Sequence, residues 1–297
     1  MMNFKTVVEE YLDTPTTRKM QTKSETAHRR LNEMCKAWGE IPLDEISDKH
    51  VRDFFRGVKK KRLAGGTYNT YVTYYRALMN FGMDELNLIR YVPKVKSMPE
   101  HRRNEFLEPE EAKRLLEELD PIRRDLASMC LLTGLRKTNA TNLKIDQISK
   151  CASFIKLPGV LMKNGSPLEV TLNDAAKAIV KRRLDMVKAQ EQRYPYLRGK
   201  IEHLFVQDSG NRKLNGRPIT QMCNDTWRNA VERAGLPKGT CVHHMRHTFA
   251  SWHKRQGTDP DVIRQLGGWE SMRSMEQYSH VTAPEVKMAA GNIDNII

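Results

Sequence analysis

Apolar residues recur every three or four positions through most of the first 91 residues, which is the spacing of one face of an α-helix. Thr22 with Glu25 forms a capping box, Ser47 can cap a later helix, and Gly65-Gly66 is expected to break the chain. The pattern predicts four helices, over residues 3–12, 22–38, 48–62 and 68–88. The first part of the chain is therefore expected to be all helical.

Residues 92–104 have a different character, with two prolines, five basic side chains and few apolar residues. Such a composition is typical of an extended linker. The sequence therefore predicts a helical domain over residues 1–91, a linker over residues 92–104, and a second domain over residues 105–297.

Helical spacing resumes after the linker. Pro109 suits the first turn of a helix, and an apolar helix from Pro121 to Thr133 is expected to end at Gly134. Further helices are expected at residues 137–143, from Asn173-Asp174 to about Arg193, and at residues 219–234. This second domain is expected to be built mostly of helices.

A strand pattern interrupts these helices. Three runs favour strands, at residues 153–157, 160–163 and 168–172, and Asn164-Gly165 is a hairpin signal between the last two. A short apolar strand is also expected at Leu204-Phe205-Val206. The predicted fold class is mainly α with a small antiparallel β-sheet, in which an all-helical domain precedes an α+β domain.

The net charge of the chain indicates what kind of partner the protein binds. The net charge is +14, and residues 1–103 alone hold 20 Lys and Arg against 13 Asp and Glu. Both parts of the chain are basic, which is typical of proteins that bind nucleic acid, although charge alone also serves solubility. Five scattered cysteines without a C-x-x-C pair indicate reduced thiols, and no apolar run predicts a membrane span. We expect an intracellular, cytoplasmic protein that has no contact with membranes.

One region, from Cys241 to Trp252, concentrates reactive side chains. His243 and Arg246 share a face at the start of a predicted helix, and together they can bind a phosphate and move a proton. The same residues could be a surface histidine and an exposed ion pair. His243, His244 and His247, with Cys241 close by, also allow a zinc site, but Arg246 would place a cation beside the metal.

Three other residues would complete a phosphate-processing site. Arg136 follows a glycine turn at the end of a buried helix, where a side chain is better placed for a ligand than for packing. Lys163 beside the hairpin tip is either solvated or a general acid. Tyr278 is either an ordinary packed tyrosine or a nucleophile whose phenolate the neighbouring cations stabilise.

These landmarks occur in a recognisable order. Over residues 105–285 the chain resembles the tyrosine recombinase (phage integrase) family, and its helical first domain is similar to the core-binding domain of that family. The resemblance rests on five motifs: Thr133-Gly134-Leu135-Arg136, Lys163 in its hairpin, His243-x-x-Arg246-His247, Leu266-Gly267-Gly268-Trp269, and Tyr278-Ser279-His280.

The resemblance implies a role for each motif residue. Tyr278 would attack the scissile phosphate and form a 3′-phosphotyrosyl bond, while Arg136 and Arg246 hold the non-bridging oxygens. Lys163 would protonate the leaving 5′-oxygen, and His243 would act as a base or hydrogen-bonding group. Trp269 would contribute a hydrogen bond and packing, because an indole cannot shuttle a proton. Asn139 stands where many members carry an acidic residue, and its role is left open.

The resemblance also implies partners. It predicts a site-specific DNA recombinase, of phage or mobile-element origin, that acts on double-stranded DNA without metal, ATP or other cofactor. It further implies a tetramer joined through the apolar C-terminal tail, together with accessory DNA-bending or directionality proteins. Two alternatives remain open at this point: a type IB topoisomerase-like nicking-closing enzyme, and a DNA-binding regulator that does not cleave.

Overall fold

The computed structural model describes residues 2–14, 25–99, 106–162, 165–222 and 225–271. Its residues cluster into two compact units, Met1–Arg103 and Asn104–Ile297, which are called unit 1 and unit 2 below. The described helices and strands are α1 Phe4–Asp13, α2 Glu25–Trp38, α3 Asp48–Lys60, α4 Gly65–Asp84, α5 Pro109–Glu117, α6 Pro121–Thr133, α7 Lys137–Thr141, β1 Phe154–Leu157, β2 Leu168–Thr171, α8 Asp174–Arg193, α9 Asp225–Arg233, α10 His243–Arg255 and α11 Pro260–Gly267.

The described part of unit 1 is all helical, as the hydrophobic spacing predicts. Ser47 caps α3 in a capping box with His50, so the cap expected there is confirmed. The core is rich in aromatic side chains: Trp38 lies 5.3 Å from Phe4 and 4.8 Å from Phe54 between ring centroids. The predicted cap at Thr22 lies outside the described residues.

The break expected at the glycine pair of unit 1 lies just before it, at residues 61–64 between α3 and α4. Gly65 and Gly66 form the first turn of α4, which ends at Asp84 rather than near Leu88. The first-turn amides of a helix need no intrahelical acceptor, so glycine there weakens the helix less than it would in the interior. Burial of Tyr71 and Tyr75 further along α4 stabilises the helix.

Helices α6 and α10 form the centre of unit 2. They pack against each other, and α8 packs on α6. Asp120 accepts hydrogen bonds from the first-turn amides of α6, and Gly134 ends this helix in the left-handed conformation, as predicted. Asn173 caps α8 in the same way, at the position expected from the sequence.

The sheet is smaller than the three strand patterns predict. β1 pairs antiparallel with β2, which confirms the mainly α fold with a small antiparallel sheet. The predicted strand at residues 160–163 is wrong, because Gly159–Leu161 is a 3-10 helix. A Cβ at Gly159 would lie 2.1 Å from the Gly165 carbonyl oxygen, so the connection folds back on itself instead of extending.

Two further expectations for unit 2 need correction. Residues 204–206 are not a strand, since Val206 makes only an isolated bridge with Pro218. The helix expected over residues 219–234 is described as Asp225–Arg233, where Trp227 is buried and its indole N–H donates to the Thr240 carbonyl at 2.9 Å.

Candidate active site

Arg136 stands on the turn that follows α6. Gly134 has φ +67°, which reverses the chain, and the buried Leu135 anchors the turn through its amide, 3.3 Å from the Thr133 hydroxyl. Arg136 then precedes α7 with a half-buried side chain. Its backbone carbonyl accepts the amides of Asn139 and Ala140, whereas its guanidinium makes no hydrogen bond or ion pair with any described residue.

Helix α10 supplies the other cation and the histidines. It begins at His243, and its Met245 is fully buried in the same apolar cluster as residues of α6. The Thr248 hydroxyl accepts the Leu107 amide at 2.9 Å, which ties this helix to the start of the unit. These contacts fix the first turn of α10, where the candidate catalytic residues lie.

Arg246 is fixed much more tightly than Arg136. Its side chain is buried, and its Nη1 donates to the carbonyl oxygens of Gly134 and, at 2.6 Å, Gly267. Its guanidinium carbon lies 3.7 Å from the centroid of the Trp269 ring, which is cation–π geometry. The backbone turn that carries Arg136 is therefore bonded directly to the second arginine.

Glycines allow this close approach. A Cβ at Gly134 would lie 2.7 Å from Cδ1 of Phe249, and one at Gly267 would lie 1.8 Å from Cζ3 of Trp269. Trp269 is buried, and its ring stacks on Phe249 with centroids 6.3 Å apart. The packing expected of Trp269 is present beneath Arg246, whereas its hydrogen bond to a phosphate stays a prediction.

His243 is the first residue of α10, and its side chain is partly exposed to solvent. Partial burial, followed by the charges of Arg246 and Arg136, lowers its pKa below 6.5. The ring of His247 stands perpendicular to it at 4.7 Å, and burial together with its histidine neighbours lowers the pKa of His247 to about 4. Both imidazoles are therefore neutral at pH 7, so His243 is able to accept a proton.

His244 has a structural role rather than a chemical one. Its ring is buried, and its Nδ1 accepts the Cys241 amide at 2.8 Å, so it closes the turn before α10. The hydrogen bond from His244 lowers the pKa of the Cys241 thiol. Across the described residues no group of three or more His, Cys, Asp or Glu side chains could hold a metal ion.

The structure brings four of the six predicted site residues together: Arg136, His243, Arg246 and Trp269. Lys163 and Tyr278 lie outside the described residues. Met162, the neighbour of Lys163, accepts a hydrogen bond at its sulfur from the Asn139 amide at 3.5 Å. Asn139, whose role the sequence left open, therefore links α7 to the segment that precedes the predicted general acid.

Two features of the candidate active site were not predicted from the sequence. The Gly134 carbonyl, which accepts from Arg246, leaves no mark in the sequence beyond the glycine itself. The contact of His247 with His243 could have been found, because residues four apart on a helix are neighbours.

No helix in the described ranges is both long and apolar enough to span a membrane.

Comparison with known proteins gives a consistent result. The model of the phage integrase family matches residues 105–285. The integrase of Salmonella phage P22 is 28% identical over 239 residues, which is 80% of this chain. The tyrosine recombinase XerA of Pyrococcus furiosus is 30% identical over 272 residues, covering 86% of each chain.

The fold has solved counterparts as well. The Tn1549 transposon integrase, solved in complex with transposon right end DNA, superposes with a TM-score of 0.76 at 18% identity over 99% of both chains. At that identity the likeness concerns the fold alone. The chain spans 60% of the length of the P22 integrase that it matches.

Proposed function

Because the chain belongs to the phage integrase family of tyrosine recombinases, we propose that it is a site-specific DNA recombinase that cleaves and rejoins DNA through a phosphotyrosyl intermediate. The observation that carries this proposal is the convergence of Arg136 and Arg246 beside a neutral His243. Two positive charges and one proton acceptor are what an attack on a phosphodiester requires.

In the proposed cleavage step, the protein exchanges one phosphodiester bond for another. The phenol oxygen of Tyr278 attacks the scissile phosphorus, its proton passes to His243, and the bond from phosphorus to the 5′-oxygen breaks. Lys163 gives a proton to that 5′-oxygen, which leaves as a hydroxyl. The products are a 3′-phosphotyrosyl bond and a free 5′-hydroxyl.

Arg136 and Arg246 would bind the non-bridging oxygens of the phosphate, where negative charge grows in the transition state. Rejoining is the reverse reaction, in which a 5′-hydroxyl attacks the phosphotyrosine. Because the phosphotyrosine is a phosphodiester like the bond it replaces, strand exchange needs no ATP. These side chains supply the charge for the proposed steps, and no cofactor takes part in them.

Double-stranded DNA is the proposed substrate. The net charge of +14 supports it, as do the DNA complexes in which the Tn1549 integrase was solved. We place the protein in the cytoplasm of a bacterium or a phage-infected host and assign it to a phage or mobile element. We further propose a tetramer on DNA joined through the tail beyond Pro284, which lies outside the described residues, and accessory DNA-bending or directionality proteins.

A trapped covalent adduct tests this proposal. The full chain is incubated with a library of nicked duplexes, in which the released strand diffuses away and rejoining fails. We expect an adduct that survives denaturation, maps to Tyr278, and leaves DNA ends that sequence to one site with free 5′-hydroxyls.

Tyr278→Phe should form no adduct and keep DNA binding, while Tyr91→Phe, at an exposed tyrosine of unit 1, serves as the matched control. An adduct formed by the Tyr278→Phe variant would assign the nucleophile elsewhere. Adducts at scattered sequences, with relaxation of supercoiled DNA but no strand exchange, would indicate a topoisomerase-like activity instead. DNA binding without any wild-type adduct would indicate a regulator.

A further inference from the structure

Three histidine rings lie next to one another in the first two turns of α10: those of His243, His244 and His247. The His247 ring stands perpendicular to the His243 ring with centroids 4.7 Å apart, and it lies 6.1 Å from the His244 ring. Both distances fall in the range of direct contact between aromatic rings. Residues three and four positions apart on a helix are neighbours, so the helix itself brings His247 against both of the other rings.

The His244 ring is fixed by the backbone around it. It is buried, and its Nδ1 accepts the Cys241 amide at 2.8 Å. The His244 carbonyl accepts the Thr248 hydroxyl at 2.8 Å, and that hydroxyl in turn accepts the Leu107 amide at 2.9 Å. Moving His244 would break these hydrogen bonds, so its ring gives His247 a rigid surface to pack against.

The His243 ring has fewer restraints. It is partly exposed at the first residue of α10, and its imidazole makes no hydrogen bond with any described residue. Such a side chain can rotate among several staggered rotamers. A general base, however, has to lie within about 2.6–3.2 Å of the group whose proton it takes. A neighbouring group has to select one orientation of His243, and the perpendicular His247 ring lies where it can do so.

His247 restrains His243 without adding charge. Burial, followed by the charges of the neighbouring histidines and Arg246, lowers the pKa of His247 to about 4. His247 thus stays neutral at a pH at which His243 takes a proton. The positive charges of Arg246 and Arg136 already oppose protonation of His243. A permanent cation at position 247 would oppose it further, whereas a neutral ring does not.

We propose that His247 is a positioning residue for proton transfer, whose ring, supported by His244, keeps the His243 imidazole in the orientation that accepts a proton. The inference rests on the proposed function, in which the proton comes from the nucleophile. His247 takes no proton itself and contacts no reacting atom. Its whole effect on cleavage therefore passes through His243.

A double-mutant cycle on single-turnover cleavage tests this role. The full chain is compared with His243→Ala, His247→Ala and the double variant, on the duplex whose sequence the trapped adduct gives. We expect His243→Ala to cleave about 100-fold more slowly, because a general base is lost. His247→Ala should cleave roughly tenfold more slowly, because the base remains but is misplaced. The double variant should be no slower than His243→Ala, because no base is left to position.

The cycle separates positioning from a merely structural role. If His247 only stabilised the fold, its loss would slow both backgrounds by the same factor. A double variant slower than His243→Ala by the full effect of His247→Ala would therefore overturn the proposal. Urea unfolding of each variant shows that the compared proteins are folded.

A second substitution at position 247 tests the ring contact even if the alanine variant does not fold. His247→Phe keeps an uncharged ring and should cleave within about threefold of the wild type, because ring packing is retained. His253→Ala is the matched control, since it removes another histidine ring of α10, one that packs on Phe249 at 4.4 Å. Its cleavage rate should equal that of the wild type. A hundredfold loss in His247→Phe, or a tenfold loss in His253→Ala, would contradict positioning by the His247 ring.

NMR of the free protein measures the ring contact without DNA. Histidine ring signals are recorded for the full chain, and the His243 signal is assigned by its loss in His243→Gln. We expect a nuclear Overhauser contact between the His243 and His247 rings, and a His243 shift that changes in His247→Ala but not in His253→Ala. A His243 signal that is the same with and without the His247 ring would refute the contact.

Failure of this inference is distinguishable from failure of the proposed function. If the wild type forms no adduct, the recombinase proposal fails and this inference falls with it, whatever the ring contact shows. If the wild type forms the Tyr278 adduct and the cycle is additive, only the positioning role of His247 is refuted.

Discussion

Arg136 and Arg246 are close in the fold and differ in how the protein holds them. Arg246 is buried, with two carbonyl acceptors and an aromatic ring against its guanidinium. Arg136 is half-buried and has no side-chain partner among the described residues. One positive charge is fixed before any ligand arrives, and the other is aimed by its turn but free to settle on a ligand.

This difference indicates that Arg246 and Arg136 have different roles. A fixed guanidinium stabilises growing charge without reorganising, which is the condition for electrostatic catalysis. A guanidinium that binds no described side chain, such as that of Arg136, has donors to offer a phosphate. Replacing each arginine should therefore give a different combination of lost stability and lost activity.

The largest effect is expected for Arg246→Ala. Cleavage should fall by about a hundredfold or more, because a transition-state donor is lost. The free energy of unfolding should fall by about 2–4 kcal/mol, because the Gly134 and Gly267 carbonyls and the Trp269 face lose their partner. Single-turnover adduct formation and urea unfolding measure the two losses.

Arg255→Ala is the matched control on the same helix, since Arg255 makes an exposed ion pair with Glu108 and should change the free energy of unfolding by less than about 1 kcal/mol. If Arg246→Ala unfolds at the wild-type urea concentration, the fixed character of Arg246 is refuted.

Arg136→Ala should separate activity from stability. We expect cleavage to fall by about a hundredfold while the free energy of unfolding changes by less than about 0.5 kcal/mol. The same two assays apply, with Lys137→Ala at the adjacent position as the control. A loss of stability comparable to that of Arg246→Ala would mean that Arg136 also has a packing role.

A smaller effect is expected on the titration of His243. Its pKa lies below 6.5 because of burial and then the charges of Arg246 and Arg136, so replacing Arg136 by Gln should raise that pKa towards 6.5. The proton acceptor is lost as pH falls through this pKa, so the acid limb of wild-type cleavage should lie below pH 6.5. NMR titration of the imidazole from pH ~5 to ~8 measures the shift independently of activity.

Arg255→Gln, a charge loss remote from the described causes of the shift, should leave the His243 titration unchanged. An unmoved His243 pKa in the Arg136 variant would contradict the electrostatic proximity of the two side chains.

Local signals in the sequence predicted much of the fold. The caps at Ser47 and Asn173 and the glycine stop at Gly134 place helix ends where the structure has them, because each acts on neighbouring backbone groups. Four of the candidate site residues were found from motif spacing, and the structure brings them together.

The wrong predictions concern segments whose conformation depends on contacts that the local sequence pattern does not encode. Residues 160–163 carry a strand pattern, yet Gly159 packs against the Gly165 carbonyl and the chain turns instead. Gly65-Gly66 looks like a breaker, yet both glycines lie in the first turn of α4, whose aromatic side chains are buried further along. The fixed state of Arg246 depends on a carbonyl 112 positions earlier in the chain, which no local pattern encodes.

The contact between Gly267 and Trp269 limits how this site can change by mutation. A methyl group at Gly267 would occupy the space of the indole ring, at 1.8 Å from one of its carbons. Any larger residue at position 267 is therefore acceptable only after Trp269 has been replaced by a smaller side chain. The two positions are epistatic, and the order of substitution decides whether an evolving lineage keeps a folded site at every step.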